Sequence, residues 1–575
     1  MKGIFFKLNS IFDKSEKSKL YFYLIFSFFT PVIEVMGIGS LIVFIVFFFN
    51  KLEAGENFYL EKLGFAKDNL VFLDSIESVL FVVIIIFCFR CIYLFFFHYF
   101  ETNLRNTLVG SKSKTAYQKF MNFSYLEMKN SSKSEVFNLA VLEAARVIDF
   151  VMGIVCILRE IILVIILSVS LFILNPKLTL ILCLFLLVLS FIFLFIYGEK
   201  LYFVGEELRR IQKELLNLVN ESVSSFKMIR LLNKENFFLG NFNQITDIRK
   251  KNIFYQQFIK KIPKLAFETL VIVLISLIVI IFNTDNNISE TLSFLTILGL
   301  ISSRLVPSFS TLNVLYSTVK FNEASVDNFF NKVYQSKEKS IKNYESKIFA
   351  NSLEYINTIN IKNLTFSYNN NKILDKVNLK INKGKIFGIF GRSGSGKSTL
   401  IDIIAGLIEP DNGEVLFNDN KKINDNISEW QSLIGYVPQE PLLLNDTIKN
   451  NICLGVQEKD INLEKLENLL NLIKINEFSR SNIFEGDTKI GEGGSKISGG
   501  QKQFVAIART LYFNRKILIF DEATSSLDRE SEKKILNLIL KLKKDHIVII
   551  ISHNEKIKKI CDEFIDLDNI GNLSD

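Results

Sequence analysis

Eight consecutive residues, Gly391-Arg392-Ser393-Gly394-Ser395-Gly396-Lys397-Ser398, have the types and spacing needed to hold phosphate. The glycines let backbone N–H groups turn inward around anionic oxygens. A helix that begins at this point adds the positive end of its dipole. The surroundings are the ones such a loop requires. Lys385-Ile-Phe-Gly-Ile-Phe390 reads as a buried strand, and an apolar helix follows from Thr399. In that geometry Lys397 reaches the β- and γ-phosphates of a nucleoside triphosphate, and the Ser398 hydroxyl ligates Mg²⁺. A second apolar run, Lys516-Ile-Leu-Ile-Phe520, ends in Asp521-Glu522. A carboxylate at the carboxyl end of a buried strand can hold Mg²⁺ through water. Its neighbour Glu522 can polarise an attacking water as general base. The chemistry these residues could do is phosphoryl transfer to water.

Short strands alternating with helices from about residue 356 supply the required scaffold, an α/β fold with these loops at strand ends. Ile497-Ser498-Gly499-Gly500-Gln501 lies between the two motifs and resembles the signature of the ATP-binding cassette family. The rest of that family's set follows in order. Tyr368 stands about 23 residues before the phosphate loop, where the family stacks an aromatic ring on adenine. Gln439, in Val437-Pro-Gln-Glu440, matches the glutamine loop. Asp528, in Ser525-Ser-Leu-Asp528, matches the loop that crosses the dimer interface, and His553 matches the switch histidine. The resemblance implies ATP and Mg²⁺ as cofactors. It implies nucleotide contacts from Tyr368, from Gly391 through Lys397, Ser398 and Thr399, and from Gln439, Ser498, Gly499, Gly500, Gln501 and Asp528. The metal would be held by Ser398, Gln439 and Asp521, with Glu522 and His553 catalytic. Departures are small: Ile497, Ser526 and Asn554 replace commoner residues without removing a catalytic group. In this family two cassettes close head to tail, so one cassette per chain implies a homodimer. Glu492, in Gly491-Glu492-Gly493, is either a coupling residue or a plain surface turn.

The first 330 residues are of another kind. Apolar residues make up 49% of the 575-residue chain, 55 residues are Phe, and they gather here in long runs. A membrane-crossing helix needs about 20 apolar residues. Six segments qualify: roughly 20–49, 78–100, 150–174, 178–197, 265–282 and 291–316. Loop charge alternates. Residues 1–19, 101–146 and 198–264 are basic, whereas 51–77 and 283–290 are acidic. By the positive-inside rule both termini face the cytoplasm of a cell whose inner membrane the chain crosses. The two long inner segments have helical spacing, so the spans continue into the cytoplasm. The whole reads as an all-α six-helix transmembrane exporter domain over 1–335, a polar linker over 336–355 and an α/β P-loop ATPase domain over 356–575.

The net charge of +8 sits mainly at membrane flanks, and no basic face with aromatic platforms suggests nucleic acid. The six Cys form no disulfide framework, and Cys88-x-x-Cys91 reads as a buried apolar pair rather than a redox motif. The first apolar run is too long for a cleavable signal.

The membrane half is similar to exporters that flip lipid-linked sugars. Glu34-Val-Met-Gly-Ile-Gly39, Asn175-Pro-Lys177, Lys227-Met-Ile-Arg-Leu-Leu232 and Arg304-Leu-Val-Pro-Ser308 carry that resemblance. It implies ATP-driven flipping of a lipid-linked oligosaccharide or related glycolipid. The alternative is export of peptides, drugs or lipid A-type lipids. Glu34, Arg90 and Arg304 all fall about 20 Å from the outer ends of their helices, at 1.5 Å per residue. Charges at that depth need a partner or a wet cavity. The spacing leaves two readings open: a structural Glu34–Arg90 pair, or Arg304, with Arg90, gripping an anionic head group.

Overall fold

The computed structural model describes residues 2–52, 76–174, 176–282, 288–335, 356–369, 371–418, 421–473, 489–525 and 527–568. The chain forms two compact units, one of residues 1–123 and 128–340, the other of 124–127 and 341–575. The expected linker and the first outer loop lie outside the described residues.

The first unit is helical. A short helix, α1 (Lys2–Ile11), precedes six long ones: α2 (Lys14–Leu52), α3 (Ile76–Met121), α4 (Ala144–Leu174), α5 (Pro176–Ser224), α6 (Glu235–Phe282) and α7 (Ile288–Val333). Pro176 opens α5, the one helical position where its missing N–H costs nothing. α7 packs on α4 and α5, α2 on α3 and α4, and α6 on α5 and α7. Spacing by four sets the inner faces: Leu163, Leu167 and Leu171 meet Leu182 and Leu186, and Ile301, Leu305 and Phe309. The outer faces are equally apolar; Phe81, Phe89, Phe95, Phe191 and Phe195 are exposed. A helix that is apolar all round suits lipid, not water. Among the described residues four stretches are long and apolar enough to cross a membrane: Lys14–Ile42, Glu77–Met121, Ser134–Ile173 and Thr179–Ser224. The two further spans expected at 265–282 and 291–316 fall in α6 and α7. Cys88 and Cys91 are exposed on α3, which corrects the expectation of burial. Apolar sequence alone does not separate a protein-facing from a lipid-facing side of a membrane helix.

The second unit has two sheets. An antiparallel sheet of order β2-β1-β4-β5 uses β1 (Thr358–Tyr368), β2 (Asn371–Asn382), β4 (Asn412–Phe417) and β5 (Lys421–Lys422). A parallel sheet of order β6-β7-β8-β3-β9 uses β6 (Ile434–Val437), β7 (Ile517–Asp521), β8 (Ile547–Ile551), β3 (Ile386–Phe390) and β9 (Glu563–Asp566). Its central strands β3, β7 and β8 are near-continuous Ile, Leu, Val and Phe, as strands buried on both faces must be. Three helices matter for the site: α8 (Lys397–Ile404), α9 (Gly499–Tyr512) and α10 (Arg529–Leu542).

Candidate nucleotide site

Because β3, β6, β7 and β8 run parallel, their carboxyl ends share one edge of the sheet. The phosphate loop follows β3, Gln439 follows β6, Asp521-Glu522 closes β7 and His553 follows β8. Ligands of open parallel sheets bind at this edge.

The loop is built as its glycines require. Gly391, Gly394 and Gly396 have φ of 144°, 88° and 95°, backbone that other residues rarely adopt. A Cβ on Gly391 would stand 2.5 Å from Ser395 Oγ, and one on Gly396 would stand 2.9 Å from Ile373 of β2. Gly396 opens α8, whose first residue is Lys397. Lys397 is buried, and its Nζ donates to the carbonyls of Gly391 and Arg392, each at 2.8 Å. The ammonium thus spans the mouth of the loop. Ser395 Oγ is buried without a partner among the described residues, an orphan donor inside the cradle. Arg392, Ser393 and Ser398 are exposed, and Thr399 is buried in the first turn. Tyr368 ends β1 and pairs with Asn371 of β2, at the hairpin whose Ile373 borders Gly396. Its ring meets Phe366 edge-on at 4.9 Å.

Glu522 holds a left-handed backbone, φ 47°. His553 Nδ1 stands 3.2 Å from its Oε1. Ser525 Oγ donates to the Glu522 carbonyl at 2.9 Å and accepts from Gln439 Nε2 at 3.3 Å. Gln439, Ser525, Glu522 and His553 therefore form one connected chain. Asp521 accepts from Tyr436 Oη at 2.6 Å. Sequence reasoning missed Tyr436 and Ser525. It also missed Gln503, which is buried in α9 and donates to the carbonyls of Pro438 and Gln439 at 3.1 and 2.7 Å.

Ser498, Gly499, Gly500 and Gln501 form the start of α9. Ser498 Oγ accepts from Gln501 N at 3.3 Å, and Gln501 Oε1 accepts from Ser498 N at 2.8 Å, a capping box. A Cβ on Gly500 would stand 2.9 Å from Ser531 Oγ of α10. Asp528 caps α10 by accepting from the N–H groups of Glu530 and Ser531. Those bonds, the Ser531 contacts first, hold its carboxyl below the usual range. Ser498 and Asp528 are exposed.

The donor set fits phosphate and Mg²⁺. A cradle that a Cβ at Gly391 or Gly396 would crowd, an orphan hydroxyl and a helix N-terminus suit anionic oxygens. Ser398, Gln439 and Asp521 offer the hard oxygens Mg²⁺ takes. No cluster of three or more His, Cys, Asp or Glu that could cage a metal occurs among the described residues.

In the helical unit, Arg304 Nη2 donates to Glu34 Oε2, joining α7 to α2. This corrects the alternative of a Glu34–Arg90 pair. Arg90 instead lies against Gly37, where a Cβ would stand 3.1 Å from its Cδ, and its guanidinium is 5.6 Å from the Phe87 ring. Depth along an axis follows from residue counting, but the direction a side chain faces follows from packing. Glu160 is 8% exposed and within electrostatic reach of Arg159, Arg304 and Glu34. Arg159 lies 3.7 Å from Glu101, which also accepts from Tyr23. Arg159 and Glu160 fall inside the expected third span, and counting charges there would have found them.

A helical membrane unit joined to a cassette with this carboxyl-edge site makes the chain a membrane protein. The arrangement is that of a half-transporter of the ABC exporter type, in which ATP hydrolysis is coupled to transport. Residues 374–525 match the ABC transporter family. Over 501 residues the chain is 28% identical to an export ATP-binding/permease protein of Rickettsia typhi, spanning 85% of this chain and 84% of the other. It is 30% identical over 384 residues to a multidrug resistance-like ATP-binding protein of Buchnera aphidicola, 64% of this chain and 63% of the other. The fold superposes on a bacterial Atm1-family ABC exporter with ATP bound at a TM-score of 0.72 and 18% identity, covering 96% of this chain and 94% of that one.

Proposed function

We propose that two copies of this chain form a Mg²⁺-dependent exporter in the cytoplasmic membrane, with both termini in the cytoplasm, that flips a lipid-linked oligosaccharide or related glycolipid. The observation that carries the ATP-driven part is the convergence of Lys397, Gln439, Asp521, Glu522 and His553 at one sheet edge. Lys397 and the N–H groups of 394–398 hold phosphate oxygens. Glu522 takes a proton from water at its carboxylate, and His553 fixes that carboxylate's orientation. Ser398, Gln439 and Asp521 would hold Mg²⁺, which neutralises phosphate charge when bound. Tyr368 offers a ring for the base.

Two bare surfaces support a second copy. Ser498 and Gly499 present the N-terminus of α9 to solvent. Phe226, Met228, Leu231 and Leu232, on and beside the short helix Phe226–Leu231, are exposed apolar residues outside the expected spans. The cargo reading rests on the four membrane-half motifs and on Arg304, whose side chain is 36% exposed and whose buried Nε has no hydrogen-bond partner among the described residues. A guanidinium with a free edge suits a pyrophosphate. The Buchnera relative's name favours drug export as the second reading. Mass spectrometry of lipid retained by the purified dimer separates the two. A polyprenyl-linked glycan supports flipping; its absence, with drug-stimulated ATP hydrolysis, supports the second reading.

A further inference from the structure

We infer that Tyr436 is a positioning residue that orients the Asp521 carboxylate for its divalent cation. The inference rests on the nucleotide-site reading above. β6 lies at the edge of the parallel sheet beside β7, in parallel register Tyr436 to Ile519 and Val437 to Phe520. Asp521 is thus two residues beyond Tyr436's partner, within reach of a phenol. Gly435 and Val437 are buried, so alternation turns Tyr436 outward, and it is 45% exposed. An exposed Tyr could point to water. Instead its hydroxyl donates to Asp521 Oδ2 at 2.6 Å.

Three features make this bond more than a surface contact. It is the one side-chain hydrogen bond to the Asp521 carboxylate among the described residues. Hydroxyl to carboxylate is charge-assisted and short. Its donor stands on a strand, not a loop, and is fixed by the β6–β7 ladder. A phenol is protonated at neutral pH, so it donates and does not compete for the cation. Holding Oδ2 sets the rotation of the carboxylate. Partners of metal-ligating carboxylates act in this way, and losing one costs about 10–100-fold in metal affinity. Tyr436 also lies three residues before Gln439, so one strand end positions both the amide and the carboxylate.

The test uses the full-length protein in lipid nanodiscs, wild type and Tyr436→Phe. Mn²⁺ binding to the ATP-loaded protein is read by electron paramagnetic resonance. ATP affinity in EDTA and the melting temperature without metal are read alongside. Tyr436→Phe is expected to weaken Mn²⁺ at least about 10-fold and to leave metal-free ATP affinity and melting unchanged. Half-saturation of ATP hydrolysis by Mg²⁺ should move to higher concentration by a similar factor, with the rate at saturating metal largely kept. Unchanged Mn²⁺ affinity overturns the inference. So does an equal loss of metal-free ATP affinity or a lowered melting temperature, which marks a purely structural bond. Failure of the wild type to bind Mn²⁺ with ATP would instead sink the nucleotide-site reading itself.

Discussion

His553 Nδ1 stands 3.2 Å from Glu522 Oε1, and Glu522 reaches that place only by holding a left-handed backbone at φ 47°. Such a conformation costs a residue with a Cβ of order 1–3 kcal/mol, and strain of this kind gathers at functional sites. Glycine carries no such cost. Glu522→Gly should therefore raise cassette stability while abolishing ATP hydrolysis. Glu522→Gln, which keeps the shape, should lower hydrolysis by at least about 10²-fold and retain ATP. Hydrolysis near the wild-type rate in Glu522→Gln would remove it from the role of base.

Lys397 Nζ is held at the loop mouth by two carbonyls, both at 2.8 Å. Lys397→Ala should lose ATP affinity itself, unlike Glu522→Gln. Fluorescent-nucleotide titration of the two variants side by side separates them; equal affinity in both would count against the phosphate role of Lys397.

Ser498 both caps α9 and stands at the exposed end of the signature. Those roles come apart by substitution. Ser498→Ala should cost about 1 kcal/mol of cassette stability through the lost cap. Ser498→Asp keeps a good cap but sets a negative charge where a second copy's phosphate would lie. It should fold like wild type and lose ATP hydrolysis. Full hydrolysis by Ser498→Asp would argue against a shared site.

Arg304 and Glu34 pair across α7 and α2, with side chains 36% and 12% exposed. Removing one partner of a buried pair costs up to about 3–5 kcal/mol, less here because Arg304 is not fully buried. Arg304→Ala should lower the melting temperature, and adding Glu34→Gln should restore part of it. Glycolipid flipping in the double variant then decides the cargo question. Flipping lost in a stable double variant, with basal ATP hydrolysis intact, supports head-group contact. Flipping retained assigns the pair to structure alone.

Asp562 contributes to the acid sensitivity of the cassette. Burial pushes its carboxyl up, but the Ile386 N–H at 2.8 Å and the Lys543 ammonium outweigh that and hold it below the usual range. A depressed carboxyl contributes stability that is present above its unfolded value, about 3.9, and is lost as pH falls through the folded value. The only Trp, Trp430, is buried in this unit with Nε1 bonded to the Ile404 carbonyl at 2.7 Å, so its emission reports cassette unfolding. Acid unfolding followed by Trp430 should be steeper in wild type than in Asp562→Asn. Identical acid curves would refute this assignment.

Much of the site was legible because its chemistry is local in sequence. The glycines of 391–396 each answer a backbone need inside one turn, and the apolar strands β3 and β7 announce themselves before Gly391 and Asp521. The capping box at Ser498 and Gln501 is likewise a contact over three residues. Helix content in the first unit was legible for the same reason, since hydropathy is a property of consecutive residues.

By itself, then, the sequence determined where the glycine-rich loop lies between its strand and its helix, that the first unit is helical and apolar, and that a parallel-sheet cassette follows it. Only the tertiary structure decided which charge meets which. It set Arg304, and not Arg90, against Glu34, and it brought Glu160 into the same cluster. It joined Tyr436 to Asp521 across 85 residues and His553 to Glu522 across 31. The physical reason is direction. Periodicity along a helix or strand gives a residue's height and face, but the partner on the next element depends on helix rotation and strand register, and those are set by how whole faces pack.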